Sequence, residues 1–290
     1  MKLRDIPVVP LGPGSQPEEA DGAELEYIDM PKGISTYSRP DTPEPEEVRD
    51  LIGAREAMDW LRSALADYEP DGEPQMANIS RLDEANRDLV NQILGDGEVS
   101  AKFEGVVRAR MQESVLAGIW RTFYLDENER ITHDLLEVGD VPYLVRMPVS
   151  ADPDPLGRLT KVTAPENAMN ARSIITEVAE HAKQFPIAQR PHSINLTLLP
   201  LSDEDIGFLD TALGRGPIDV LSRGYGDCRV SSTAIPNVWW VRYYNSVGTL
   251  ILNTLEIIDV PGVACAALED IRDSGNRLDE ILEPYWAEMD

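Results

Sequence analysis

Residues 118–144, GIWRTFYLDENERITHDLLEVGDVPYL, align without a gap on residues 237–263, NVWWVRYYNSVGTLILNTLEIIDVPGV. Seven of the 27 positions are identical: Trp120 with Trp239, Tyr124 with Tyr243, Leu136 with Leu255, Glu137 with Glu256, Asp140 with Asp259, Val141 with Val260 and Pro142 with Pro261. Background composition would give roughly one or two such matches, so the chain contains an internal duplication. The same offset of 119 carries Leu82, Leu94, Gly95 and Gly97 onto Leu201, Leu213, Gly214 and Gly216. Between these anchors the copies differ. PIDVLSRGYGDC (217–228) reads as an insertion ahead of Arg229 in the second copy, and the first has a longer stretch from Ala101 to Ala117.

The pattern around these anchors gives an α+β fold. Leu51, Ala54, Met58, Leu61 and Leu65 recur at helical spacing after Pro45. A second helix runs from Asp83 to Leu94 and stops at Gly95. Val115–Leu125 and Arg130–Val138 alternate as paired strands. The second copy repeats this order: a helix from Glu166 to Gln184, SINLTLLP as a strand, a helix from Ser202 to Leu213, three strands (CRVSSTA, NVWWVRYYN and TLILNTLEII), and a closing helix from Leu268 to Trp286. We therefore expect two tandem related α+β units, at 46–147 and 166–290, joined by a proline-rich linker at 148–165. Each is a short antiparallel sheet covered by helices, and the two pack in a pseudo-twofold arrangement that buries their apolar faces. Residues 1–45 hold eight prolines and many acids and read as a flexible arm.

Composition narrows the function. The chain has 52 acidic against 26 basic residues, a formal charge of −26. Such a surface repels phosphate backbones, so nucleic acid is excluded as a partner, and it favours basic ones. No run of about eighteen apolar residues occurs and the N-terminus lacks an apolar signal core, so membrane insertion is not expected and the cytoplasm is the expected compartment. Two cysteines, Cys228 and Cys265, and three histidines, His133, His181 and His192, show no C-x-x-C or H-x-x-x-H spacing. Neither a metal nor another cofactor is expected.

Catalytic motifs are also missing: there is no dinucleotide glycine fingerprint, no phosphate loop and no nucleophile elbow. We assign no catalytic residue and expect no enzyme. Glu137 and Glu256 could converge as a carboxylate pair if the copies pack about an axis, or each could bind backbone at its own strand end. Arg223 and Arg229 flank Cys228 closely enough in sequence to activate a thiol, whereas Asp227 opposes this and favours an inert buried cysteine. Trp239 and Trp240 point to opposite faces of one strand, and one of them could serve as a surface anchor. Tyr225 lies between Gly224 and Gly226, where it could project into a partner. The candidate partner-binding set is Arg223, Tyr225, Asp227, Cys228, Arg229 and Trp240.

Residues 222–282 carry GYGDCR, NVWWVRYYN, LILNTLE, DVP, AALEDIRDS and RLDEIL. This block resembles the HupH/HyaF/HoxQ family of hydrogenase expression and maturation proteins. The resemblance implies an accessory chaperone for an uptake nickel–iron hydrogenase. Its expected partner is the precursor of the small, iron–sulfur subunit, including its twin-arginine signal peptide, with other hydrogenase accessory proteins as further partners. The competing reading is a thiol-dependent redox or cluster-protecting factor that uses Cys228.

Overall fold

The apolar stripe of Ala54, Met58, Leu61 and Leu65 winds along helix α1 (Ile52–Ala66), and all four side chains are buried. The structure, a computed structural model, describes residues 48–286 except 71, 148, 149, 151 and 225. The arm expected at 1–45 lies outside the described residues. After α1 come β1 (Gln75–Asn78), α2 (Glu84–Leu94), β2 (Val99–Glu104), β3 (Arg108–Glu113), β4 (Ile119–Leu125), β5 (Ile131–Val138), α3 (Tyr143–Arg146) and α4 (Pro155–Lys161). The second copy contributes α5 (Ala171–Ala188), β6 (His192–Asn195), α6 (Asp203–Leu213), β7 (Arg215–Gly224), β8 (Gly226–Thr233), β9 (Val238–Tyr244), β10 (Leu250–Ile257) and α7 (Leu268–Trp286). Side-chain caps fix where α2 and α6 start. Asp83 accepts from the Asn86 N–H at 2.9 Å, and Ser202 with Asp205 forms a reciprocal capping box. Both helices stop at a glycine with positive φ, Gly95 at 53° and Gly214 at 62°.

The expectation of two short sheets packed together is corrected. All ten strands form one antiparallel sheet in the order β1-β5-β4-β3-β2-β7-β8-β9-β10-β6. The copies meet along β2 and β7, where Ala101 pairs with Val220, its own counterpart at the offset of 119. An isolated five-stranded unit would leave the N–H and C=O groups of its inner edge strand unpaired. Joining edge to edge satisfies both rows.

The reading of 217–228 as an insertion is also corrected. In the first copy β2 pairs with β3 through Ser100↔Gln112, and in the second β7 pairs with β8 through Asp219↔Ser231. Adding 119 to the first pair gives the second, so the two hairpins share one register. Smaller details repeat as well. The Ser114 hydroxyl donates to the Leu116 carbonyl as that of Thr233 does to Ile235. The Trp120 indole donates to the Gly139 carbonyl, and that of Trp239 to the Ile258 and Asp259 carbonyls.

On one face of the sheet, helices cover the outer strands of each copy. The first cluster joins α1 and α2 to Ile119, Leu136 and Val138, and the second joins α5 and α6 to Val238, Leu255 and Ile257. Each cluster is completed by a helix from the other copy. Ile271, Leu278 and Leu282 of α7 lie in the first cluster, and Leu159 of α4 lies in the second. Leu159 and Leu278 differ by 119 and each follows an arginine, Arg158 or Arg277. The stretch expected as a linker, 148–165, thus contains a helix that packs on the second copy. On the opposite face a central cluster of Phe103, Met111, Ile218, Val230 and Trp239 is covered by Val141, Leu144, Val145, Val260 and Ala264. There the Arg146 guanidinium pairs with both Asp140 and its counterpart Asp259.

Candidate partner-binding surface

Alternation along the central strands sends Lys102, Arg108, Arg110, Arg223, Arg229 and Arg242 to the helix-bearing face. The helical clusters rest on the outer strands and take in no side chain of β2, β3, β7 or β8. The central strands therefore form a floor between two helical layers. Glu104, Asp219 and Asp227 share this floor, and Glu129 accepts from Arg108 at 2.9 Å and Arg110 at 3.0 Å. Cations still outnumber carboxylates here, in a chain of formal charge −26.

Two pairs of cations stand directly across from each other, Lys102 with Arg110 and Arg229 with Arg242. Such pairs destabilise a sheet. The second pair is relieved by stacking: the Arg229 guanidinium lies 5.1 Å from the Tyr244 ring centroid and that of Arg242 lies 4.4 Å from the Trp240 ring. Guanidiniums placed over aromatic rings in this way can offer directional donors to carboxylates or peptide carbonyls of a bound segment. The half-buried Leu221, across from Arg229 on β7, adds apolar area beside them.

The structure distributes the expected site residues as follows. Arg223 and Asp227 face each other across the β7–β8 hairpin, and Arg229 lies on the floor. Cys228 projects to the opposite face, because neighbouring residues of a strand alternate. It is 5% exposed, burial pushes its thiol up to about 11, and Tyr243 is its hydrogen-bond partner. The flanking arginines therefore do not activate it, and the thiol-based reading loses its physical basis. Trp240 is 4% exposed, and its indole donates to the Asn253 side chain within the second helical cluster. It lies on the same face as Arg242, under that guanidinium at the edge of the floor, and is not a surface anchor. Tyr225 lies outside the described residues. Its counterpart at the offset of 119, Val106, is 84% exposed at the tip of the β2–β3 hairpin.

Glu137 and Glu256 do not converge. Their strands are seven spacings apart, roughly 34 Å along the sheet. Glu137 accepts from the Tyr143 N–H at 2.9 Å, and burial raises the Glu256 carboxyl above its ordinary range. Glu137 thus binds backbone just beyond its own strand, whereas Glu256 accepts from the Thr254 hydroxyl at 3.3 Å. The sequence analysis missed Lys102, Arg108, Arg110 and Arg242, although KFE and RAR already show charge at every second position.

Comparison with known proteins bears directly on this repeat. The family model described as HupH hydrogenase expression protein, C-terminal conserved region, matches the chain twice, over residues 51–164 and 168–285. The chain belongs to the HupH hydrogenase expression protein family. The family's conserved region is thus one repeat, present here in two copies, and each match includes the exchanged helix, α4 or α7. Similarity to curated members runs the length of the chain. It is 44% identical to the hydrogenase expression/formation protein HoxQ of Cupriavidus necator, over 96% of each chain. It is 42% identical to HupQ of Azotobacter chroococcum, over 94% of this chain and 95% of that one. It is 29% identical to the hydrogenase-1 operon protein HyaF of Escherichia coli, over 94% of each. Among solved structures, the hydrogenase expression protein HupH of Thiobacillus denitrificans matches 39% of this chain and 95% of its own, with 26% identity and a TM-score of 0.38.

Proposed function

We propose that this protein is an accessory chaperone of nickel–iron hydrogenase maturation that binds the small-subunit precursor in the cytoplasm before export, and that it acts by binding and not by catalysis. The observation that carries the reading is the similarity of nearly the whole chain to proteins named for hydrogenase expression and formation. The floor between the helical layers supports it, as a preformed surface where stacked cations and apolar area meet. The palindromic strand order and the pairing of Ala101 with Val220 support a pseudo-twofold axis through the β2–β7 junction. Such an axis would present the β2–β3 and β7–β8 hairpins at opposite ends of the floor. No helix among the described residues is long and apolar enough to cross a membrane.

The acidic exterior and the cationic floor divide the work in this reading. Long-range attraction of the −26 chain for basic segments speeds encounter, and the floor sets how long the complex lasts. A tagged copy of this chain is expected to retain the small-subunit precursor from an anaerobic extract. A precursor lacking its twin-arginine segment measures how much of the capture that basic segment supplies. Failure to retain either form would sink the chaperone assignment.

A further inference from the structure

We propose that Glu177, His181 and His192 form a three-ligand site for a divalent transition-metal ion of the zinc class. Glu177 and His181 stand one turn apart on α5, so they share a face. The turn after α5, with Gln189 at φ 45°, sends the chain back and places His192 at the start of β6 beside them. One ligand atom from each residue lies within 4.8 Å of the others. His192 Nε2 is 2.7 Å from Glu177 Oε1, and the His181 and His192 rings stack with centroids 3.6 Å apart and planes at 2°. Two of the chain's three histidines thus meet a carboxylate at one point.

Two imidazoles and one carboxylate are a donor set that suits zinc, with a fourth position left for water. Stacked rings aim their nitrogen lone pairs in parallel, so ligation requires both rings to swing toward the ion. Both histidines are half-buried and Glu177 is exposed, and the second torsion of histidine is soft, so the swing costs little. As an ion pair alone, an exposed Glu–His contact is worth no more than about 1 kcal/mol. A bound ion would instead tie the C-terminal half of α5 to β6, the outermost strand of the sheet.

The site is particular to the second repeat. The Ala54 N–H donates to Asn86 Oδ1 at 2.7 Å as the Ala171 N–H does to Asp205 Oδ1 at 2.9 Å, which sets α1 against α5 at an offset of 117. Asn78 and Asn195 continue this offset, since Leu135 and Thr254 pair with them. The counterparts of the three ligands are therefore Trp60, Ala64 and Gln75, none of which is a metal ligand in common use. The expectation that no metal binds rested on missing C-x-x-C and H-x-x-x-H spacings, and a Glu-x-x-x-His turn closed by a distant histidine escapes both.

The test uses the full chain, stripped with chelator and titrated with Zn²⁺ by calorimetry and with Co²⁺ by visible absorption. One ion per chain is expected, with a rise in melting temperature as Zn²⁺ is added. His181→Ala, His192→Ala and Glu177→Gln are each expected to weaken binding by more than about tenfold, and His133→Ala is expected to change nothing. Circular dichroism of each variant confirms the fold, since none of the three side chains is in the core. The assignment is overturned if the wild-type chain takes up no Zn²⁺ at millimolar concentration. It is also overturned if stoichiometric binding survives the combined His181→Ala and His192→Ala change.

Discussion

A chain ended after Ala266 is expected to lose the fold of its first repeat, although every residue of that repeat is still present. The cause is the exchange of helices. Helix α7 belongs to the second copy by sequence, yet Ile271, Leu278, Ile281 and Leu282 are buried against α1 and α2 of the first. Gly118, at the start of β4, has Ile271 close above it, and Leu65 of α1 lies beside Gly275. Burying four aliphatic side chains contributes about 6–12 kcal/mol, which is comparable to the whole stability of a domain, about 5–15 kcal/mol. Leu278→Ala alone is expected to cost about 2–5 kcal/mol through the cavity it leaves. Denaturant titration and hydrogen exchange of α1, β4 and β5 measure both effects. A truncated chain with a midpoint close to that of the full chain would show that the exchanged packing is dispensable.

Arg121→Ala is the single substitution expected to do the most damage without removing an element. Arg121 Nε and Nη2 reach the two oxygens of Asp134 at 2.5 and 2.6 Å, and Nη1 reaches Asn91 Oδ1 at 2.6 Å. Arg121 and Asp134 are both buried. Removing the arginine leaves the buried Asp134 carboxylate only the half-exposed Arg87 at 4.0 Å, which costs up to about 3–5 kcal/mol. The second repeat solves the same problem without charge: the counterparts of Arg121 and Asp134 are Trp240 and Asn253, joined by one hydrogen bond. The combined Arg121→Trp and Asp134→Asn change is therefore expected to recover more than half of the loss, because no lone charge remains. If Arg121→Ala shifts the unfolding free energy by less than about 1 kcal/mol, the pair is not structurally important.

Where side chains on one element were strongly apolar or well capped, the sequence was enough. The helix expected at Ser202–Leu213 is α6, capped at Ser202, and the one expected at Leu268–Trp286 is α7. Strands β9 and β10 fall within the segments read as NVWWVRYYN and TLILNTLEII. The middle of the sheet was not legible. Strands β2 and β3 carry small or flexible apolar residues such as Ala101, Ala109 and Met111 on one face and charges on the other. Their alternation is real but weak beside that of VWWVRYY. Strand β7 begins Arg-Gly-Pro and ends in glycine, which reads as a loop. Because that hairpin was taken for an insertion, the common register of the two copies and the joining of their edges could not be seen. The exchange of α4 and α7 was hidden for a different reason: sequence order says which copy a helix comes from, not which copy it covers. The same limit applies to the candidate surface. Arg229 could be named from its motif, but its cross-strand partner Arg242 and the cations of β2 and β3 come together only in the folded sheet.

The binding account stands most directly on the floor of that sheet. The measurement is the affinity of the full chain for the purified small-subunit precursor, compared with an Arg229→Glu and Arg242→Glu double variant. The exchange keeps two like charges facing each other across β8 and β9 and inverts the sign of the floor, but it gives up the stacking on Tyr244 and Trp240, so some loss of stability is expected. Melting temperature serves as the control for folding. The account expects affinity to fall by about tenfold or more in a variant that melts lower than the wild type but is still fully folded at the temperature of the binding measurement. An unchanged affinity in a folded double variant would contradict it and place the contact elsewhere on the chain.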